Sequence, residues 1–168
     1  MPDAELLFVP LGGAGEIGLN LNLYRLHDQW LMVDLGLSFA DETLPGVEII
    51  LPDPSFIAER SQNLCGLVLT HAHEDHFGVI PYLWQRLRCP IWCTRFTAAV
   101  LARKLEDAGI QDAAVHVVSP GERFMVGPFD VEYINVTHSV PESNALAIRT
   151  PLGAVLHSGD WKLDLTPV

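Results

Sequence analysis

The sequence predicts one mixed α/β domain, α+β in schemes that separate the two, and three observations carry that prediction. A β-hairpin pattern opens the chain, helical patterns are few and lie in the middle, and short strand patterns crowd the last third. Strands and helices do not alternate regularly, so a doubly wound parallel sheet is disfavoured. A length of 168 residues fits a single domain with a hydrophobic core.

Residues 6–11 read as a buried strand, followed by a glycine loop over 12–18. Residues 19–26 alternate, with Leu19, Leu21 and Leu23 set against Asn20, Asn22 and Tyr24. That period of two marks a strand. His27, Asp28 and Gln29 form a polar turn, and residues 30–35 return as the second arm of the hairpin. Residues 38–51 are irregular, with Pro45 and Gly46 marking a turn. Asp53 is placed to cap a short helix that has Pro54 at its first position. An apolar strand over 66–70 runs into a histidine cluster, and a helix is expected over 81–87. After a short strand at 91–93, Thr97 can cap a helix over 98–108 that Gly109 ends. Strands follow at 115–119, 123–126, 129–137, 145–150 and 154–158.

Composition narrows the function classes. At 49% hydrophobic residues the chain is no disordered segment. No apolar run reaches the roughly 18 residues that a membrane span needs. The start of the chain lacks the basic residues of a signal peptide. A cytoplasmic protein with no membrane partner is expected. Cys65, Cys89 and Cys93 fit neither CxxC nor a disulfide framework and read as buried, reduced thiols. A formal net charge of -11 argues against a free-standing nucleic-acid binder, because phosphate contacts need clustered Lys and Arg. It does not exclude a nuclease whose metal ions offset the charge at the site. Arg86, Arg88, Arg95, Arg103 and Lys104 form a modest basic cluster, which reads most simply as a solvated helix face.

The strongest chemical signal is His71-Ala72-His73-Glu74-Asp75-His76, directly after an apolar strand. Where a strand gives way to a loop, successive side chains can converge on one point. Imidazole and carboxylate together suit zinc, and also manganese or iron. Four ligands from so short a stretch divide more naturally between two neighbouring metals than around one. Glu74 is expected to point away from them. The run from Gly13 to Gly18 also fits GxGxxG, but a strand pattern follows where a dinucleotide site needs a helix. The glycines are better explained as a tight loop that approaches the site closely.

HxHxDH resembles the signature of the metallo-β-lactamase fold superfamily. The chain as a whole resembles the ribonuclease J family, β-CASP nucleases of that superfamily. The resemblance rests on residues 11–18 (LGGAGEIG), 33–36 (VDLG), 45–48 (PGVE), 69–78 (LTHAHEDHFG), 137–143 (THSVPES) and 157–164 (HSGDWKLD). It implies an αβ/βα sandwich, of which this chain carries the N-terminal part. It also implies two divalent metals, zinc first and manganese second. His71, His73 and His138 would bind one. Asp75 and His76, which the resemblance also makes catalytic, would bind the other, and Asp160 would bridge both. Asp34 would support the ligand loop. His157 would lie beside the site without binding metal. His27 and His116 receive no role.

The implied activity is hydrolysis of RNA phosphodiesters, 5′-to-3′ exonuclease and endonuclease, by a metal-activated water. In that family a β-CASP domain interrupts the metallo-β-lactamase domain, and the returning segment supplies a further histidine ligand and an acid histidine. This chain stops near residue 168, about where that insertion would begin. The resemblance therefore implies one metal in this chain, weak or no activity by itself, and exposed apolar surface that favours a homodimer or higher oligomer. Two alternatives stand beside it: a thioesterase- or lactonase-type hydrolase of small molecules, and a non-catalytic module on the same fold.

Overall fold

A computed structural model describes residues 5–164. Its twelve strands and four α-helices, counted among those residues, run in the order β1 (Leu6–Gly12), β2 (Leu21–Leu26), β3 (Gln29–Val33), β4 (Ser38–Phe39), β5 (Ile49–Ile50), α1 (Ser55–Ala58), β6 (Leu64–Val68), α2 (Glu74–Phe77), α3 (Ile80–Leu87), β7 (Ile91–Cys93), α4 (Arg95–Asp107), β8 (Val115–Val117), β9 (Arg123–Val126), β10 (Phe129–Asn135), β11 (Asn144–Thr150) and β12 (Gly153–His157). Six strands form a mixed sheet in the order β1-β2-β3-β6-β7-β8, and four form a second sheet in the order β12-β11-β10-β9. In the first sheet β1, β2 and β3 are antiparallel, while β3, β6, β7 and β8 run parallel.

The alternation in β2 sorts its side chains between two cores. Leu21 and Leu23 join Met32, Leu67 and Ile91 against Ile57, Leu83, Trp84, Leu101 and Leu105 of the helices. Tyr24 and Leu26 join Leu31, Val33 and Val68 against Phe129, Val131, Tyr133, Leu146 and Ile148 of the second sheet. The central sheet is therefore buried on both faces, as parallel sheets require. The layers are helices, six-stranded sheet and four-stranded sheet. The mixed α/β architecture expected from the sequence is the one observed.

Several local expectations need correction. Leu19 and Asp34 lie outside their strands with left-handed backbone, φ 57° and 60°, so β2 begins later and β3 ends earlier than the hydrophobic pattern suggests. Residues 38–51 are not wholly irregular, because β4 and β5 pair as a small antiparallel ribbon. The short helix α2 begins directly after His73 and contains His76. Asp53 accepts the Ser55 N–H at 2.9 Å, but it stands one residue before the N-cap of α1, which is Pro54 rather than Asp53. Thr97 is not the cap of α4. It is buried one turn inside the helix, and extended Thr94 stands at the N-cap. The Phe96 N–H donates instead to Glu142 Oε2 at 2.8 Å, from the loop between β10 and β11. A carboxylate at a helix N-terminus is favourable, and this one comes from a distant part of the chain. The expected end at residues 165–168 lies outside the described residues.

Candidate metal centre

Four chain segments bring the site together, and both sheets contribute. β6 ends at Val68, and the chain continues through Leu69 and Thr70 to His71. His73 is the extended residue before α2, and α2 carries Asp75 and His76. The loop after β10 supplies His138 and the loop after β12 supplies Asp160. The Lys162 N–H donates to the Thr137 carbonyl at 2.8 Å, which ties the last two loops together. Gly36 lets the ligand loop come close. A Cβ there would lie 1.6 Å from the Asp75 carbonyl oxygen.

The imidazole nitrogens converge. His71 Nε2 is 3.0 Å from His73 Nδ1, and His138 Nε2 is 3.1 Å from the same atom. His71, His73 and His138 form one group whose ligand atoms lie within 4.8 Å of one another, and His71, His76 and Asp160 form a second. Asp160 Oδ2 is 3.4 Å from His76 Nε2 and 3.9 Å from His138 Nε2, so it stands between the two groups. Asp75 Oδ2 is 3.6 Å from His76 Nε2 but belongs to neither group.

Beneath this layer Asp34, 1% exposed, accepts the Thr70 N–H at 2.8 Å and the Thr70 hydroxyl at 2.9 Å. Its Oδ2 also meets His76 Nδ1 at 2.8 Å. His157 Nδ1 sits 3.0 Å from the Tyr24 hydroxyl and joins neither donor group. Glu74 turns away to Lys104, 2.8 Å distant. A cleft of about 560 Å³ opens beside His76 and Asp160, bordered by Gly13, Asn22, Tyr24 and His157. The glycine loop thus reaches the site and leads into a strand.

Electrostatics divides the imidazoles. Burial first, and then the charge on His76, push the His71 pKa down to about 3. Burial opposes the charge on His76 as well, but the Asp34 carboxylate and the hydrogen bonds to Asp160 and Asp34 hold its pKa up at about 10. The His76 hydrogen bond draws Asp160 down to about 2. Burial lowers His138. Burial thus favours the neutral form of His71 and His138, and Asp160 is held ionised, the forms that metals take, while the surrounding carboxylates hold His76 as the imidazolium. Two ring nitrogens lie within 3.1 Å of a third, His73 Nδ1, and the three cannot each carry a proton, so a cation fits where protons do not. The donor set of imidazole and carboxylate suits zinc or manganese.

Two contributors were not singled out from the sequence. Thr70 bonds Asp34 and His71, and Asn20 Nδ2 donates to the Asp75 carbonyl at 2.9 Å while lying 3.2 Å from His76 Nε2. The position of Thr70 just before the histidine motif was the available signal. Members of the basic cluster are spent on local partners: Arg86 on Ser55, Arg88 on Asp112 and Lys104 on Glu74.

Two packed sheets with a histidine and carboxylate cluster at their joint strand ends define the metallo-β-lactamase fold. The chain belongs to the beta-lactamase superfamily: residues 29–164 match the domain described as "Beta-lactamase superfamily domain". It is similar to ribonuclease J of Sinorhizobium meliloti, 48% identical over 98% of this chain and 30% of that protein. Ribonuclease J of Thermus thermophilus is 38% identical over 99% of this chain and 30% of its own length. That of Synechocystis is 43% identical over 97% and 26%. The chain thus spans less than a third of these relatives. Among solved structures, a protein of unknown function from Enterococcus faecalis V583 superposes with a TM-score of 0.70 at 21% identity, over 95% of this chain and 44% of that one. The metallo-β-lactamase fold protein YhfI of Bacillus subtilis gives 0.65 at 17%, over 94% and 63%. These two likenesses concern the fold alone. Among the described residues no helix is long and apolar enough to cross a membrane.

Proposed function

We propose that this chain is the first part of the catalytic domain of a metal-dependent ribonuclease of the ribonuclease J type, which hydrolyses RNA phosphodiesters as a 5′-to-3′ exonuclease and endonuclease. The observation that carries the reading is the convergence of His71, His73 and His138 beside the His76–Asp160 pair. Identity of 48% to a ribonuclease J supports RNA as substrate, and the cytoplasm is the proposed place of action.

In this reading His71, His73 and His138 would hold one divalent ion. His76 and Asp75 would hold a second, and Asp160 would serve both. Zinc is the first candidate and manganese the second. Bound ions would polarise a phosphate and lower the pKa of a water molecule toward neutrality. The chain's own residues do the positioning. Asp34 receives the proton of His76 Nδ1 and so turns Nε2 toward Asp160. His157 and Tyr24 form the wall of the adjoining cleft. A β-CASP domain and the remainder of the catalytic domain belong to the longer protein, and by itself this chain is weakly active or inactive. Exposed Met125, Ile134 and Leu156, on the strands of the four-stranded sheet, support self-association.

The test uses the longer protein that contains this chain. Asp75→Ala and His76→Ala should each abolish cleavage of 5′-monophosphorylated RNA with the circular dichroism spectrum unchanged. Undiminished turnover would remove the assignment. Hydrolysis of a thioester or lactone in preference to RNA would redirect it to small-molecule chemistry.

A further inference from the structure

We infer that the Thr70 hydroxyl is a positioning group that fixes the tautomer of His71 and, through Asp34, links His71 to His76. The inference deepens the metal-centre reading above and rests on it for its consequence, though not for its geometry.

Thr70 is fully buried, and its Oγ1 lies 2.9 Å from Asp34 Oδ2 and 2.9 Å from His71 Nδ1. A hydroxyl has one proton to give, and an ionised carboxylate can only accept. The proton therefore goes to Asp34 Oδ2. The oxygen lone pairs are left facing His71 Nδ1, so the ring must bring its own proton to that atom. His71 is thereby held as the Nδ1–H tautomer. Its Nε2 keeps a lone pair aimed at the point where His73 Nδ1 lies, 3.0 Å away.

The same carboxylate oxygen takes the proton of His76 Nδ1 at 2.8 Å. One Asp–Thr unit thus orders two histidines. The link matters because His71 is the residue shared by both donor groups. A wrong tautomer at His71 would present an N–H to both at once. Backbone bonds hold the unit in place: the Thr70 N–H donates to Asp34 Oδ1 at 2.8 Å, and the Thr70 carbonyl accepts from the Asn144 N–H at 3.2 Å. Neither depends on the side chain of Thr70, so the hydroxyl can be removed without removing them.

The experiment compares this chain with Thr70→Val, which keeps the shape and loses the hydroxyl, and Thr70→Ser, which keeps the hydroxyl. Long-range ¹H–¹⁵N correlation spectra of the metal-free proteins report each histidine tautomer, and titration with zinc reports affinity. The expected result is Nδ1–H at His71 in the parent and in Thr70→Ser, and a shift toward Nε2–H in Thr70→Val. Zinc affinity should fall by about 10–100-fold in Thr70→Val and recover in Thr70→Ser. An Nε2–H tautomer in the parent would overturn the inference, as would a folded Thr70→Val with tautomer and zinc affinity unchanged. Should Thr70→Val not fold, the parent and Thr70→Ser tautomers still decide. A parent that shows Nδ1–H but binds no zinc would support the tautomer assignment while removing the metal-centre reading.

Discussion

Asp34 Oδ2 and His76 Nδ1 lie 2.8 Å apart in the interior, and both side chains are almost wholly shielded from solvent. The pair joins the end of β3 to α2, so it fixes the ligand loop to the central sheet. Asp34→Ala would leave the Thr70 N–H and hydroxyl without their acceptor. We expect a loss of about 2–3 kcal/mol in urea unfolding of the metal-free chain. Metal affinity should fall by about 10–100-fold in a zinc titration. Affinity equal to the parent's would mean that Asp34 serves the fold alone.

Gly36→Ala should be among the most damaging small substitutions. Its Cβ would meet the Asp75 carbonyl oxygen at 1.6 Å and the His76 nitrogen at 2.5 Å, and both are backbone atoms. The loop must move as a body or the protein must lose stability, by about 3 kcal/mol or more. Chemical denaturation and zinc titration should both register it. A variant with parental stability and affinity would show that the loop can yield.

Tyr133 is fully buried, and its hydroxyl donates to the Leu69 carbonyl at 2.9 Å, where the chain leaves β6 for the histidines. Tyr133→Phe removes that bond between the two sheets and keeps the ring. The expected cost is about 1 kcal/mol, read as a lower urea midpoint with an unchanged slope.

The thiols should divide by burial. Burial pushes the pKa values of Cys89 and Cys93 up to about 12, so at pH 8 both stay protonated and unreactive. Burial also raises Cys65, but it is only half-covered. With a thiol reagent at pH 8, the native chain should give one slow equivalent, and the unfolded chain all three. Fast reaction of Cys89 or Cys93 in the native state would contradict the packing around β7.

Protein purified without chelator should carry about one zinc or manganese per chain by elemental analysis. The three-histidine group would account for it. A value near two would mean that Asp75, His76 and Asp160 suffice for a second ion, or that another chain completes its site. No metal after reconstitution would remove the site.

The sequence made the histidine motif and the opening hairpin legible because their signals are local: ligand spacing within six residues in one case, a period of two in the other. His138 and Asp160 carry no such signal alone, and only a resemblance pointed to them. Their convergence depends on two loops from a different sheet. The N-cap of α4 was misplaced for a similar reason. Thr97 has the residue type of a cap, whereas the group that satisfies the helix is Glu142, 46 residues away from Phe96. The β4–β5 ribbon was missed because its strands are two residues long, too short for any periodicity to register. The alternation in β2 was read correctly as a strand, yet it could not reveal that both faces would be buried.

The donor groups draw on both sheets. His71 and His73 follow β6 of the six-stranded layer, while His138 and Asp160 follow β10 and β12 of the four-stranded one. A cation seated among them would act as a rivet through the sandwich. The free energy of its binding and the free energy of docking one layer on the other would then be a single quantity measured from two sides. Any change that shears the layers, even far from the histidines, should appear as weaker metal affinity, and a chelator should loosen the packing between the sheets.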